Sequence, residues 1–245
     1  MPSDVVTGGK NVYGIPLGVL MLESTFPRIP GDVGNAATWP FPVLYRVVDG
    51  ASPGRVVRSL SDGSLLSAFL EAADDVAAAG VAIVTTNCGF LALYQREIQE
   101  RLRVPFVSSS LLQVPWLQCL LPSEQRVGVM TIEKRSLTSS HLAAAGIRAD
   151  VPLVGMEEVG GYFAESILGD CVSLDVERAR AEHVAAANLL LERCPDIGAI
   201  VLECTNMPPY ARAIRDATGL PVYDLTSLVG WTIAAERRAD FSGWV

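Results

Sequence analysis

Two cysteines stand out by their setting. Cys88 lies in Thr85-Thr86-Asn87-Cys88-Gly89-Phe90, and Cys204 lies in Glu203-Cys204-Thr205-Asn206-Met207-Pro208-Pro209-Tyr210. Each follows an apolar, β-branched run and precedes a helical pattern, so each reads as strand end, turn, helix start. Pro208 and Pro209 suit the first turn of a helix, where a missing N–H costs little. A thiol beside a helix N-terminus meets unpaired N–H groups and the positive dipole end. That setting predicts a thiol pKa lowered from about 8.5 toward neutrality. The same amides can cradle a carboxylate. Two such thiols on opposite sides of a carbon suit one reaction: one removes the α-proton and the other returns a proton to the opposite face. Amide and hydroxyl donors would stabilise the enediolate-like charge.

The elements that must position these thiols are short strands alternating with longer helical runs. Strands are expected at Ile15–Leu22, Pro42–Val48, Val81–Thr85, Phe106–Ser108, Arg126–Ile132, Val151–Met156, Ala199–Leu202 and Val222–Tyr223. Helices are expected at Gly63–Ala79, Leu91–Arg101, Ser136–Ala145, Val176–Arg193, Pro208–Ala217 and Ser227–Arg237. Such alternation implies parallel βαβ units. An internal repeat organises them. Gly18-Val19-Leu20-Met21-Leu22-Glu23 resembles Gly128-Val129-Met130-Thr131-Ile132-Glu133, and Pro42 matches Pro152 at the same offset of 110 residues. Farther on the offset is 116, pairing Cys88 with Cys204 and Val104-Pro105 with Leu220-Pro221. The expected fold is therefore α/β. Two similar halves, each with a mostly parallel sheet of about four strands, face each other about a pseudo-twofold axis, and the site lies in the cleft between them. The first half takes residues 1–115 and 222–245, the last helix crossing back; the second takes 116–221.

Composition narrows the function. The 245 residues carry a net charge of -8 and no Lys/Arg cluster longer than a pair, which argues against nucleic acid as a partner. No apolar run approaches membrane-spanning length, and the first residues lack the apolar core of a secretory leader. Five cysteines without clustered spacing point to free thiols in a reducing, cytoplasmic setting. Cys119, Cys171 and Cys194 lack the strand-end setting and read as core or surface thiols. With two histidines, His141 and His183, both on expected helices, and no Cys-x-x-Cys pair, no metal site is expected. The two lysines, Lys10 and Lys134, lack the phosphate-binding loop of a pyridoxal enzyme. The Thr25–Asn35 segment, with Arg28 in it, reads as a lid, a rigid surface loop or a dimer contact.

Asn87-Cys88-Gly89 and Glu203-Cys204-Thr205-Asn206-Met207-Pro208 resemble the paired cysteine motifs of the aspartate/glutamate/hydantoin racemase superfamily, over essentially the whole chain. The resemblance implies cofactor-independent chemistry at an acidic carbon beside a carboxylate. Cys88 and Cys204 would be the acid/base pair. Asn87, Gly89, Thr205 and Asn206 would lie near the substrate carboxylate with Phe90 beside them. Glu23, Ser24 and Glu133 would line the cleft. Glutamate racemases carry Cys-Thr-His in the second half, where this chain has Cys204-Thr205-Asn206. The implied enzyme is a pyridoxal-independent isomerase, an amino-acid racemase or epimerase acting on a small carboxylate. Maleate-type cis–trans isomerisation and arylmalonate-type decarboxylation are the alternatives. A homo-oligomer, with a dimer as the commonest case, is expected.

Overall fold

The structure is a computed structural model describing residues 5, 7–9, 12–148 and 150–238. Lys10 lies outside the described residues. The apolar runs form eight strands: β1 Leu17–Leu22, β2 Val43–Val48, β3 Ile83–Thr86, β4 Phe106–Val107, β5 Arg126–Thr131, β6 Leu153–Gly155, β7 Ile197–Leu202 and β8 Val222–Tyr223. The helices are α1 Pro53–Ser59, α2 Leu66–Ala78, α3 Gln95–Arg101, α4 Val114–Leu120, α5 Ser139–Ala144, α6 Tyr162–Leu168, α7 Val176–Arg193, α8 Ala211–Thr218 and α9 Leu225–Glu236. Every strand pair is parallel. The two sheets have the same order, β2-β1-β3-β4 and β6-β5-β7-β8. The protein is thus α/β, with two four-stranded parallel sheets flanked by helices.

Parallel sheets are covered on both faces, and the central strands show it. Every residue of β1 and β7 is buried, and β5 is buried after Arg126. Burial of each large aliphatic side chain there contributes about 1.5–3 kcal/mol. The repeated glycines have a packing cause. A Cβ on Gly18 would drive into the side chain of Val76 on α2, and one on Gly128 would crowd Leu190 of α7 and Ile197. Each glycine lets a covering helix sit close on its central strand. On α7, Asp175 caps the first turn by accepting from the N–H groups of Glu177 and Arg178, and Ala179, His183, Ala186, Ala187 and Leu190 face inward. Helix α9 buries Leu225, Leu228, Val229 and Ile233 in one cluster with Leu17, Val19 and Ile83 of the first sheet.

In each sheet the chain steps from the central strand to one neighbour, then returns to the other side. Ligand crevices form at the carboxyl ends of strands flanking such a reversal. Those ends are β1 and β3 in one half and β5 and β7 in the other.

Helix boundaries shift where turns are tight. The run expected as one helix from Leu91 begins as a 3-10 turn, Gly89–Tyr94, and becomes α-helical only at Gln95. Pro208–Tyr210 is likewise a 3-10 turn ahead of α8. Helices α1, α4 and α6 were not expected. In α1 and α4 a proline stands in the first turn, a start signal that also reads as a loop. Helix α6 follows the glycine pair Gly160-Gly161, both with positive φ, and at seven residues it is too short for a periodic signal. No described helix is long and apolar enough to cross a membrane.

Candidate active site

The turn after β3 is built by side chains. Asn87 donates its N–H to the carbonyl of Leu20 (3.0 Å), and its Oδ1 accepts from the N–H of Leu22 (2.7 Å), extending the β1–β3 ladder past its end. Thr86 Oγ1 accepts from the Cys88 N–H at 3.0 Å and donates to the Cys88 carbonyl at 2.9 Å. The turn after β7 repeats this plan. Glu203 donates its N–H to Met130 O (2.8 Å), and its carboxylate accepts from the Ile132 N–H and from Thr131 Oγ1 at 2.8 Å. At the 116-residue offset Glu203 is the counterpart of Asn87. Thr205 Oγ1 donates to the Asn87 carbonyl, tying the two turns together across the halves.

Both cysteines line one cavity. Its walls include Asn87, Cys88, Gly89 and Phe90 from the first turn and Glu203, Cys204, Thr205 and Asn206 from the second, with Leu22, Phe26, Arg28, Pro53, Val57 and Ile132. The space is about 20 Å3, room for about one water. Two buried polar atoms of its lining residues have no hydrogen-bond partner: Asn87 Nδ2 and Glu203 Oε1. A Cβ on Gly89 would collide with the carbonyl oxygen and Oε1 of Glu203, so glycine there lets the two turns meet.

The electrostatics correct the expectation of near-neutral thiols. Burial, and then the charge of Glu203, pushes Cys88 up to about 12. The same two causes push Cys204 well above the ordinary thiol value. The turn amides do bond the sulfurs, Phe90 N–H to Cys88 and Asn206 N–H to Cys204, but desolvation outweighs them. Cys204 also feels its partner, since a Cys88 thiolate disfavours its ionisation. Burial likewise raises Glu203 to about 7, against the bonds from Thr131 and Ile132.

The segment after β1 roofs the cavity. Arg28 stacks on Phe26 at 4.3 Å, pairs with Asp32 at 3.0 Å and donates to Ser24 Oγ at 2.7 Å. Asp32 Oδ2 accepts from Asn206 Nδ2 at 2.6 Å, which leaves Asn206 Oδ1 to face the Cys204 thiol at 3.5 Å. Asp170, on the second half, accepts from the N–H groups of Thr25 (2.6 Å) and Phe26 (3.0 Å). Three other expected residues stand apart from the cavity lining. Glu23 is exposed and accepts from Gly50 N–H at 3.3 Å. Ser24 holds Arg28. Glu133 is buried, which works against its ionisation, yet Arg135, Ser136 and Arg58 outweigh burial and hold its carboxyl below the ordinary value. His141 packs edge-on to Phe90 from behind, Lys134 pairs with Glu158 at 3.6 Å, and Cys119 and Cys171 are exposed. The sequence reading did not single out Glu203 or Asp32. The available signal for Glu203 was an acidic residue closing an otherwise apolar strand.

Two matched parallel α/β halves with a strand-end cysteine from each on a shared cavity define a class of enzyme scaffold. The chain belongs to the Asp/Glu/Hydantoin racemase family, whose model matches residues 56–232. Solved structures agree in fold. Allantoin racemase from Klebsiella pneumoniae superposes with a TM-score of 0.59 at 17% identity, covering 93% of this chain and 96% of that one. Arylmalonate decarboxylase gives 0.57 at 14%, covering 90% and 92%. The curated relatives correct the expected isomerase class. A dimethylsulfoniopropionate lyase from Durusdinium sp. clade D is 31% identical over 221 residues, covering 87% of this chain and 72% of that protein. Dimethylsulfoniopropionate lyase 5 from Emiliania huxleyi is 30% identical over 233 residues; the match covers 89% of this chain but 45% of that longer protein. These names point to a lyase.

Proposed function

We propose that the chain is a lyase that eliminates dimethyl sulfide from dimethylsulfoniopropionate. The observation that carries this reading is the 31% identity to a lyase of that name along 87% of the chain. The chemistry suits the site. The substrate has an acidic C–H beside a carboxylate and a sulfonium leaving group on the next carbon. A cysteine thiolate, Cys88 or Cys204, removes the α-proton. The freed electron pair becomes the carbon–carbon double bond, the β-carbon–sulfur bond breaks, and its electrons leave with neutral dimethyl sulfide. Acrylate remains, and the base keeps the proton.

Asn87 Nδ2, buried and unpartnered, offers a donor to the carboxylate. Arg28 is the one Lys or Arg in the lining, and Asp32 already holds it. Around the thiols the charge is therefore acidic, which suits a cationic sulfonium better than a second carboxylate. The arriving cation would also favour the thiolate, offsetting the burial that now opposes it. Leu22, Phe26, Val57 and Ile132 supply an apolar wall for the S-methyl groups.

The test is incubation of the purified protein with dimethylsulfoniopropionate. Headspace gas chromatography should detect dimethyl sulfide, and proton NMR should detect acrylate in equal amount. A folded protein that produces neither defeats the assignment.

A further inference from the structure

Elimination and racemisation differ in their proton balance. A racemase returns the proton it takes, whereas elimination of a sulfide from a sulfonium acid leaves one proton on the enzyme at every turnover. The thiols are a poor outlet, because both hold their protons tightly. A second ionisable group must prepare the thiolate and then discharge the proton.

Glu203 has the placement for this task. It directly precedes Cys204, and its Oε1 abuts Gly89, the residue after Cys88, so the carboxyl lies between the two thiol turns. It is fully buried, its Oε2 is held by Thr131, and its Oε1 has no partner. The groups that face it are Thr131 and Ile132 from the end of β5, Gly89 and Cys88 from the first turn, Ser110 near its carbonyl, and Cys204. No Lys, Arg or His pairs with it among the described residues. Arg28 and Asp32 act on the thiols from the roof.

We infer that Glu203 takes the proton of the reacting thiol through Oε1 and later releases it by way of the cavity it lines, so that the net proton of each elimination leaves by this carboxyl. The inference rests on the lyase reading above. In the first step the S–H bond breaks as the Oε1–H bond forms, leaving a thiolate and a neutral carboxylic acid. The thiolate then takes the α-proton, dimethyl sulfide departs, and the thiol is neutral again. Finally the Glu203 acid ionises, restoring the resting enzyme. Burial sets that carboxyl to about 7, where release to water near neutral pH is easy. Glu203 acts through the thiol and is a positioning residue rather than a catalytic one.

The decisive variant is Glu203→Gln, assayed beside the parent for dimethyl sulfide release, pH profile and iodoacetamide labelling of Cys88 and Cys204. The parent kcat should fall on the acid side of neutrality, as the carboxylate is protonated. In Glu203→Gln that limb should vanish and kcat should drop about 100-fold, with KM within about threefold of the parent. Thiol labelling at neutral pH should be no slower than in the parent, because a repelling charge is gone. Loss of a merely structural residue would loosen the packing that keeps the thiols inert, so labelling would speed up while turnover fell with its acid limb retained; a retained limb overturns the inference, as does a kcat within about threefold of the parent. Should Glu203→Gln fail to fold, Thr131→Val serves instead. Loss of its hydrogen bond raises the Glu203 pKa, so the acid limb must move to higher pH, and an unmoved limb overturns the inference. A folded parent that releases no dimethyl sulfide sinks the lyase reading and this one with it. An active parent with an unaffected variant sinks this one alone.

Discussion

The turn after β3 and the turn after β7 are built alike and finished differently. Asn87 and Glu203 bond the same backbone positions: each donates to the central strand's carbonyl (Leu20 or Met130), and each side chain accepts from the N–H two residues farther along that strand's course (Leu22 or Ile132). Each also keeps one buried polar atom unpaired, but the first is an amide donor and the second a carboxyl acceptor. The contrast extends behind the site. Tyr94 donates its hydroxyl to Leu60 O at 2.7 Å, while its counterpart Tyr210 has a buried, unpartnered hydroxyl and stacks on His183 at 4.1 Å. A reaction that swaps protons symmetrically between two faces has no use for unlike flanks. The proposed one-way elimination would use them: the Asn87 flank would hold the carboxylate and the Glu203 flank would handle the proton.

The largest expected effect comes from the sulfurs, where the halves are most alike. Cys88→Ala or Cys204→Ala should lower kcat/KM for dimethyl sulfide release by about a thousandfold or more for the working base, a cost of about 4 kcal/mol. If one variant retains far more activity, the halves divide the labour and the base is located. If both retain parental rates, the shared-cavity mechanism is wrong. Next comes acid stability, which should be a property of the second half. Burial lowers His183 from 6.5 to about 4. The unfolded chain therefore takes up a proton between those values while the native state does not. Stability is present above pH 6.5 and is lost as pH falls toward 4, by about 3 kcal/mol at most. His183→Phe should flatten that slope in denaturant titrations run at pH 7 and pH 4; an unchanged slope removes His183 as the cause. The smallest effect tests the donor flank. Asn87→Asp keeps the acceptor for Leu22 but replaces Nδ2 with a charged oxygen. KM should rise about 10–100-fold, or about 1.4–2.7 kcal/mol, with kcat less affected. An unaltered KM would mean that the carboxylate binds elsewhere.

What was legible in the sequence was whatever local pattern controls. Strands read as apolar, β-branched runs, even at the partly exposed edges β2 and β8, so all eight are legible. The Gly18/Gly128 and Cys88/Cys204 repeats were visible because a shared packing problem recurs. The thiols' environment was not legible, because it is tertiary. Phe26, Pro53 and Val57 close over the sulfurs from segments far along the chain, and the desolvation they impose outweighs the turn amides that the motif suggested. Glu203 looked like a polar neighbour of Cys204 because nothing local reveals that Gly89 abuts it and leaves one oxygen unpaired. Glu133 repeated Glu23 in sequence, yet Arg58 and Arg135 claim its carboxylate. The reaction class was legible least, since one scaffold serves several fates of the same carbanion.

The roof has a consequence for timing. Asp170 is the one non-glycine among the described residues with a left-handed backbone (φ 52°), and it fastens Thr25 and Phe26 from the opposite half by their amides and the Thr25 hydroxyl. The chamber beneath admits a single water, whereas the sulfonium acid is several times larger. Under the proposed reaction a guest of that size could enter only by displacing part of this roof, and the clasp is one of its fastenings, set at the rim by a half-buried aspartate outside the cavity lining.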